Sequence, residues 1–366
     1  MKVGLYIHIP FCRGSKCPYC DFVSVGSDFS LPASLDMQKK YVAALIREVG
    51  KRCGEREYTV ETVYVGGGTP SALYRGGLTE IINAVKNVAD FTPVEFSVEA
   101  NPESADKGFF DECAALRVDR ISFGLQSTED NLLKGLRRHT YRDFLLALGQ
   151  AKEAEIKNVS ADLMLGLSGQ TYFDVEKSVQ KLIGLRLKHI SVYGLKVEEG
   201  TPLYESGFLV DEDKTADFYD IIHKRLKEAG YSRYEVSNFA LPSFECRHNR
   251  KYWDLSPYLG VGPSACSYLD GFRTKNTGDL ARYIRGEFLE STEDVRSHVL
   301  TEYIMLGLRT AEGVELKTLA DMGMGTEKLK IIDEFILQGC FVLRDGRACI
   351  AEPYLYVMNS IVSRLI

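Results

Sequence analysis

The chain has 366 residues, 45% hydrophobic and 26% charged, enough apolar material for one large core or for a large and a smaller one. This composition excludes a disordered chain, a fibrous repeat and a disulfide-bonded miniprotein. The net charge of −6 lacks the basic surplus of most nucleic-acid-binding proteins, and no apolar run approaches the ~18 residues of a membrane span. We therefore expect a cytoplasmic protein with no membrane span and no nucleic-acid partner.

Strand-like and helix-like segments alternate through the first two-thirds of the chain. In chain order they are a strand at Val3–Ile9, a helix at Leu35–Arg52, a strand at Thr59–Val65, a helix at Leu78–Val88, a strand at Val94–Glu99, a helix at Ser104–Leu116, a strand at Arg120–Phe123, helices at Glu129–Leu136 and Phe144–Glu155, a strand at Asn158–Leu165, a helix at Phe173–Leu185 and a strand at His189–Leu195. This alternation predicts an α/β fold with a parallel sheet covered by helices. Periodicity alone fits either a doubly wound sheet or an incomplete barrel.

The pattern changes after about residue 205. The predicted elements there are a helix at Lys214–Ala229, one more strand at Tyr231–Val236, a loop-rich stretch at Ser237–Asn276 with the only Trp, and a mostly helical remainder with a hairpin at Phe341–Ile350. We therefore predict a first domain at residues 1–210 and a smaller, mostly helical α+β domain at residues 211–366.

Small or polar residues follow the predicted strands. They are Cys12 after the first strand, Gly66–Thr69 after the second, Glu99 at the end of the third, Gln126 after the fourth and Asp162 within the fifth. Buried parallel strands normally read as near-continuous apolar runs. Because the carboxyl ends of the strands carry the chemistry in both candidate folds, we expect these residues to line one cavity.

Three of the nine cysteines, Cys12, Cys17 and Cys20, lie within nine residues in a CX4CX2C pattern. Such closely spaced thiolates suit an iron–sulfur cluster with one iron left open. Two alternatives remain: a zinc site, with His8 as a nearby fourth ligand, and three buried thiols without a metal. The spacing favours the [4Fe–4S] cluster.

Further motifs surround the cysteine pattern in a fixed order. They are Tyr6–Cys12 (YIHIPFC), Cys17–Cys20 (CPYC), Gly66–Ser71 (GGGTPS), Glu99–Pro102 (EANP), Arg120–Gln126 (RISFGLQ), Asp162–Leu167 (DLMLGL), Tyr234–Ser237 (YEVS) and His248–Trp253 (HNRKYW). Together they resemble the radical S-adenosylmethionine (SAM) family that contains oxygen-independent coproporphyrinogen III oxidase and a haem chaperone. The resemblance implies a partial (β/α)6 barrel of the TIM type with a smaller C-terminal domain. Four residues separate the first two cysteines, where this family usually has three.

The resemblance also implies roles for individual residues. The cluster is expected on Cys12, Cys17 and Cys20, and SAM at the cluster is expected to contact Tyr6, Gly67 and Glu99. Positions that touch a second SAM in the oxidase are matched by Tyr19, Gly68, Thr69, Gln126, Arg138 and Asp162. The residues by themselves also fit plainer roles: a tight turn at Gly66–Thr69, an internal salt bridge at Glu99 and a helix-dipole partner at Arg138.

Haem is the third group that the resemblance implies. In the chaperone branch the HNxxYW pattern is associated with haem, so His248 is a candidate iron ligand and Tyr252 and Trp253 are candidate stacking partners. The same residues fit a loop whose aromatic rings anchor it to the barrel. Cys266 stands where chaperone relatives usually carry His, and we interpret it as a buried thiol rather than an alternative ligand.

The favoured function is a haem chaperone that binds haem, a [4Fe–4S] cluster and SAM and delivers haem to haem-accepting respiratory proteins, which can lie at the membrane periphery. The alternative is coproporphyrinogen III oxidase, which performs a radical SAM oxidative decarboxylation in haem biosynthesis. That oxidase carries a sizeable N-terminal arm and lacks the HNxxYW pattern, whereas here eleven residues precede Cys12. We therefore expect no oxidase activity.

Overall fold

The computed structural model describes residues 1–14, 16–25 and 34–366, and a twelve-stranded sheet organises most of them. Six parallel strands lie side by side in chain order: β1 (Lys2–Ile9), β2 (Thr59–Gly67), β3 (Asp90–Ala100), β4 (Arg120–Gln126), β5 (Asn158–Leu165) and β6 (His189–Gly194). A doubly wound sheet reverses its strand order at a switch point. The unbroken order therefore confirms the predicted partial barrel.

Helices follow the strands and cover the outer face of the sheet. They are α1 (Leu35–Cys53), α2 (Gly77–Lys86), α3 (Lys107–Ala115), α4 (Asp130–Gly135), α5 (Tyr141–Glu153) and α6 (Tyr172–Gly184). Alternate strand residues such as Leu5 and Ile7 are fully buried in the core between strands and helices. The starts of α5 and α6 are fixed by capping boxes at Thr140 and Thr171, whose hydroxyls accept the N–H groups of Asp143 and Asp174.

The sheet continues on both sides of this barrel. Next along the chain come α7 (Pro202–Glu205), α8 (Glu212–Glu228), β7 (Ser232–Arg233), β8 (Asn238–Ala240), α9 (Arg247–Trp253), β9 (Tyr258–Val261), β10 (Cys266–Leu269), β11 (Phe272–Asn276), α10 (Leu280–Arg285) and β12 (Leu289–Asp294). β8 and β7 extend the sheet beyond β6, while β9 pairs in parallel with β1 and is followed by antiparallel β10 to β12. The sheet thus has strands from both sides of the 210/211 boundary, and that boundary stays a prediction.

Two predictions in this part of the chain are wrong. The stretch 237–276 is not loop-rich, because it contains four strands and a helix. The strand predicted at Tyr231–Val236 is reduced to β7 at Ser232–Arg233, with an isolated bridge between Glu235 and Thr310. Elements of two to seven residues are too short for hydrophobic periodicity to reveal them, and they form here because neighbouring strands and the barrel interior supply their partners.

A second buried cluster lies in the last part of the chain. Its elements are α11 (Val299–Gly307), β13 (Val314–Glu315), α12 (Leu316–Asp321), α13 (Thr326–Leu337), β14 (Phe341–Arg344), β15 (Arg347–Ile350) and α14 (Met358–Ser363). The predicted hairpin is confirmed as β14–β15, and its turn residues Asp345 and Gly346 have φ values of 48° and 76°. Positive φ at both positions is what a two-residue type I′ turn requires. No helix in the described ranges is long and apolar enough to cross a membrane.

Candidate functional site

A cavity of about 350 Å³ opens at the carboxyl ends of the barrel strands. All three clustered cysteines and eight of the nine predicted cofactor residues line it: Cys12, Cys17, Cys20, Tyr19, Gly67, Gly68, Thr69, Glu99, Gln126, Arg138 and Asp162. The residues at strand ends share the cavity because parallel strands end at the same edge of the sheet, while the loop after β1 brings in the cysteines and Tyr19 and the turn after α4 brings in Arg138. The sequence prediction of one shared cavity is therefore confirmed, while the role of each residue stays a prediction.

The cysteines lie on the loop that follows β1. The Thr69 hydroxyl is 3.7 Å from Cys12 Sγ, and Arg138 Nη1 is 3.4 Å from Cys17 Sγ. Burial raises the pKa of the Cys12 thiol, and it raises the pKa of Cys20 to about 11. Because metals bind thiolates, loading this site must displace protons from these buried thiols.

The zinc alternative finds no support in the geometry. In the described part of the chain, no three His, Cys, Asp or Glu side chains converge closely enough to hold one metal ion. His8 is also engaged, with Nδ1 3.1 Å from Tyr6 Oη and Nε2 2.8 Å from the carbonyl of Val23. A cluster is held at three separate irons and does not require its thiols to converge on one point.

The glycine loop after β2 packs tightly against β1. Gly67 has a φ of 111°, and a Cβ there would lie 2.6 Å from His8 Cε1. A Cβ on Gly68 would lie 2.9 Å from the carbonyl oxygen of Phe11. Only glycine fits either position, so the loop is a tight turn and also exposes backbone at the wall of the cavity.

Two carboxyl groups face the cavity. Glu99 accepts hydrogen bonds from Tyr64 Oη at 2.8 Å and from the Gly67 N–H at 3.2 Å, and it forms no ion pair with any described residue. Burial, reinforced by the nearby Asp162, raises the pKa of Glu99 to about 7. Burial likewise raises the pKa of Asp162 to about 6. Two such carboxyls in one cavity favour a cationic ligand.

Gln126 and Arg138 leave polar atoms unpaired in the same cavity. Gln126 is nine-tenths buried at the end of β4 with a φ of 66°, and its Oε1 has no hydrogen-bond partner. Arg138 donates to the Gly124 carbonyl, yet its buried Nε is also unpaired. Burial by itself lowers the pKa of Arg138, but Tyr19 and Cys17 outweigh it and the guanidinium stays charged. Unpaired buried groups are costly unless a ligand or water completes them.

Among the residues predicted to bind a cofactor, Tyr6 does not line the cavity. It lies deeper in the barrel, where its ring stacks on Tyr64 with centroids 6.3 Å apart. The cavity instead includes Met164, Tyr193 and Lys196, which sequence reasoning missed. Met164 and Tyr193 follow the same rule as the residues that it found, because they lie at the ends of β5 and β6.

The HNRKYW segment is a helix, α9, rather than the predicted loop. His248 is fully buried inside the barrel, with Nδ1 2.9 Å from Thr62 Oγ1 and Nε2 2.8 Å from Tyr252 Oη. Burial lowers the pKa of His248 to about 3. To ligate iron, the imidazole would have to break its hydrogen bonds with both Thr62 and Tyr252. The contacts of His248 and Tyr252 therefore fit the alternative role, in which they anchor the segment to the barrel.

The other two haem candidates differ in exposure. Trp253 is half-buried at the end of α9, whereas Cys266 is exposed on β10. The interpretation of Cys266 as a buried thiol is wrong. It precedes Ser267, whose hydroxyl accepts the N–H of Gly260 and the Arg52 guanidinium of α1 on the helix-covered face of the sheet, so strand alternation turns Cys266 to the opposite face.

The amino-acid sequence is similar to those of known proteins. Residues 6–182 match the model of the radical SAM superfamily. The chain is 37% identical over 320 residues to the haem chaperone HemW of Lactococcus lactis, covering 84% of this chain and 82% of that one. It is 34% identical to HemW of Bacillus subtilis, covering 86% of each chain, and 31% identical to HemW of Escherichia coli, covering 92% and 91%.

A solved structure matches the fold over the whole chain. Coproporphyrinogen III oxidase (HemN) from Escherichia coli, a radical SAM enzyme, aligns with a TM-score of 0.85 over 100% of this chain and 90% of that chain at 18% identity. At this identity the match concerns the fold alone. Barrel, cysteine motif and sequence relatives agree, and the chain belongs to the radical SAM superfamily and, within it, to the HemW family.

Proposed function

We propose that this protein is a haem chaperone that carries a [4Fe–4S] cluster and SAM in the barrel cavity and delivers haem to acceptor proteins. The observation that carries the proposal is the cavity itself, where three cysteines, two carboxyls and the unpaired atoms Gln126 Oε1 and Arg138 Nε meet. The HemW relatives, named as haem chaperones, support haem as the cargo.

The residues of the cavity fit both cofactors. Cys12, Cys17 and Cys20 supply three soft donors for a cluster, and a three-cysteine site leaves one iron open to a chelating ligand. Glu99 and Asp162 suit the cationic groups of SAM. The unpaired Oε1 of Gln126 and Nε of Arg138 offer one acceptor and one donor to the rest of the molecule.

A cluster of this type with SAM supplies one-electron reductive chemistry when it is bound. The protein contributes position and charge. Arg138 Nη1 donates to Cys17 Sγ at 3.4 Å, while Tyr64 and the Gly67 N–H orient Glu99 toward the cavity.

The first experiment tests the cofactors. Anaerobically reconstituted protein should contain about four irons and four sulfides per chain, as a [4Fe–4S] site requires. Cys12→Ala, Cys17→Ala and Cys20→Ala should each lose the visible absorbance of the cluster. Cys53→Ala is the matched control, because this cysteine is buried in α1, away from the cavity. A full cluster in the triple Ala variant would contradict the assignment.

The second experiment separates chaperone from oxidase. The reconstituted protein is titrated with haem and, in parallel, incubated with coproporphyrinogen III, SAM and a reductant. A chaperone gives saturable haem binding, transfer of haem to an apo-acceptor and no decarboxylated product. If a vinyl product forms in a SAM-dependent way and haem binding is not saturable, the chaperone function is rejected in favour of the oxidase function.

A further inference from the structure

A second and larger cavity, of about 1010 Å³, lies beside the barrel. Its walls come from the end of β6, the following segment, α8 and the short helical turn at Glu352–Val357. Ligand pockets usually measure roughly 300–1,000 Å³. This cavity is therefore large enough for a bulky small molecule, and no residue role assigned above uses it.

The lining of this cavity is apolar and aromatic. Tyr219 donates its hydroxyl to the Val236 carbonyl at 2.6 Å, and Tyr356 donates its hydroxyl to Asp220 Oδ1 at 2.7 Å. Because both hydroxyls are engaged with the protein, the rings are left to contact a ligand through their apolar surface. Lys196 and Glu212 are the charged residues of the described lining, which includes no His or Cys.

The two cavities share a wall. Leu195 and Lys196, directly after β6, line both of them. A molecule in the larger cavity would therefore lie next to the site of the cluster and SAM. This arrangement suits a cargo or substrate of the cofactor site better than an unrelated ligand.

The rim of the larger cavity carries an unusually exposed leucine. Leu209 is 86% exposed, although its neighbour Val210 packs inward against Leu195 and Phe208. Exposed apolar side chains around a concave apolar surface indicate a binding site. Tyr204, half exposed, stands on the same rim.

We propose that this cavity, rather than α9, is the binding site for the haem cargo. A flat tetrapyrrole matches the large apolar interior and the tyrosine rings. The Lys196 ammonium at the wall toward the cofactor site is largely exposed and pairs with Glu198, and it can also reach a carboxylate substituent of the tetrapyrrole. The proposal rests on the chaperone function proposed above and names the site at which that function acts. In the absence of an imidazole or thiol in the described lining, apolar contact supplies most of the affinity.

The test measures the dissociation constants of haem and of metal-free protoporphyrin IX with reconstituted full-length protein. Gly194→Phe would place a ring in the cavity, since a Cβ there meets nothing closer than Thr215 Cγ2 at 3.8 Å. We expect both Gly194→Phe and Leu209→Asp to weaken binding of both porphyrins by about tenfold or more. The wild-type protein should bind the two porphyrins with affinities within about threefold, because iron ligation contributes little.

Matched controls are available for both variants. Leu337 is 88% exposed in the second cluster of helices, so Leu337→Asp repeats the chemistry of Leu209→Asp at a distant surface. Gly184 ends α6 with nothing near its Cβ, so Gly184→Phe adds the same ring elsewhere. Both controls should bind porphyrin like the wild type, and all variants should retain their iron content.

The failures of the two proposals can be told apart. If the wild-type protein binds haem but the cavity variants bind it equally well, or if metal-free protoporphyrin IX does not bind, the cavity is not the haem site. If Trp253→Ala loses porphyrin binding while Gly194→Phe and Leu209→Asp keep it, α9 would instead be the haem site. If the wild-type protein shows no saturable porphyrin binding, the chaperone function itself is contradicted. Capture of an apolar helical peptide in place of porphyrin would make the cavity a protein-docking groove and overturn the proposal.

Discussion

Gln126 holds a backbone conformation that is unfavourable for a residue with a side chain. Its φ of 66° lies in the left-handed region, which costs a non-glycine residue about 1–2 kcal/mol. A break in the register between β4 and β5 at the same place turns the amide into the cavity. Strain of this kind is often retained where it places a functional group. The unpaired Oε1 of Gln126 also indicates that the amide is placed to meet a ligand.

Gln126→Gly should therefore separate stability from binding. Glycine relieves the strain but adds flexibility to the unfolded chain, so the free energy of unfolding should stay within about 1 kcal/mol of the wild-type value. Affinity for SAM should fall by about tenfold, because one hydrogen bond is lost. Arg186→Gly is the control, since Arg186 has a φ of 55° on an exposed turn after α6. It should leave SAM affinity unchanged in equilibrium dialysis, and an equal loss in both variants would refute a binding role for the Gln126 side chain.

The raised pKa of Glu99 predicts a pH dependence of SAM binding. With a pKa of about 7, the carboxyl is mainly protonated at about pH 6 and mainly ionised at about pH 8. Since the ionised form attracts a cationic ligand, affinity should rise by several-fold up to tenfold across this range. Glu99→Gln should bind SAM weakly and with a flat profile. Glu153→Gln, on the exposed face of α5, should keep the wild-type profile, and a flat wild-type profile would exclude Glu99 as the titrating contact.

Among the elements, α9 is fixed to the barrel interior through its amino end. Glu95 on β3 accepts hydrogen bonds from the N–H groups of Arg247 at 2.7 Å and His248 at 3.2 Å, and from Cys246 Sγ at 3.3 Å. A carboxylate at a helix N-terminus is favourable because it meets the free N–H groups and the positive end of the dipole. Glu95 also helps to keep the fully buried Arg120 charged, against the effect of burial.

Replacing Glu95 should therefore release α9 and destabilise the barrel. We expect Glu95→Gln to lower the free energy of unfolding by about 2–4 kcal/mol, because donors and a buried cation lose their partner. Glu61→Gln removes the partly exposed ion pair with Lys251, which is also on α9, and the exposed pair with Lys2, and it should cost less than about 1 kcal/mol. Trp253, the only tryptophan, reports on α9 in urea unfolding followed by fluorescence. Equal effects of the two variants would show that Glu95 does not hold the helix.

On the scale of the whole molecule, the two largest of the buried apolar clusters lie in different parts of the chain. The larger one packs the barrel strands against their helices, and the smaller one joins α11 to α14 with the hairpin. The described lining of the cavity at the strand ends comes from the barrel region, whereas Leu355 and Tyr356 of the C-terminal part help to line the larger cavity. A substitution that destabilises the smaller cluster should therefore disturb the larger cavity and leave the cavity at the strand ends unchanged.

Phe335→Ala tests this division. Phe335 is buried in the smaller cluster with its ring 5.4 Å from that of Phe341, so its truncation should cost about 3–5 kcal/mol locally. Hydrogen exchange should rise in peptides from residues 299–365, while iron content and SAM affinity stay at wild-type values. Phe123→Ala in the barrel core is the counterpart and should impair the cofactor site. Loss of iron in Phe335→Ala would show that the two clusters do not act separately.

The amino-acid sequence by itself determined the alternation of strands and helices, the hairpin at Asp345 and Gly346, and the shared cavity at the strand ends. These features depend on local pattern: hydrophobic periodicity, turn residues and motif order, which a linear chain displays directly. The positions at strand ends found Cys12, the glycine loop, Glu99, Gln126 and Asp162. The CX4CX2C spacing found Cys17 and Cys20, and the family resemblance implied Tyr19 and Arg138.

Tertiary structure alone decided the rest. The choice between a barrel and a doubly wound sheet depends on strand order, which periodicity does not encode. His248 and Cys266 could not be placed from the sequence, since one is buried through contacts with Thr62 on a distant strand and the other is exposed by its register on β10. The large cavity beside β6 likewise joins residues about 190 positions apart, because it exists only where the C-terminal turn meets α8 and the barrel. Contacts between residues far apart in sequence form only when the chain folds, so the local sequence pattern does not predict them.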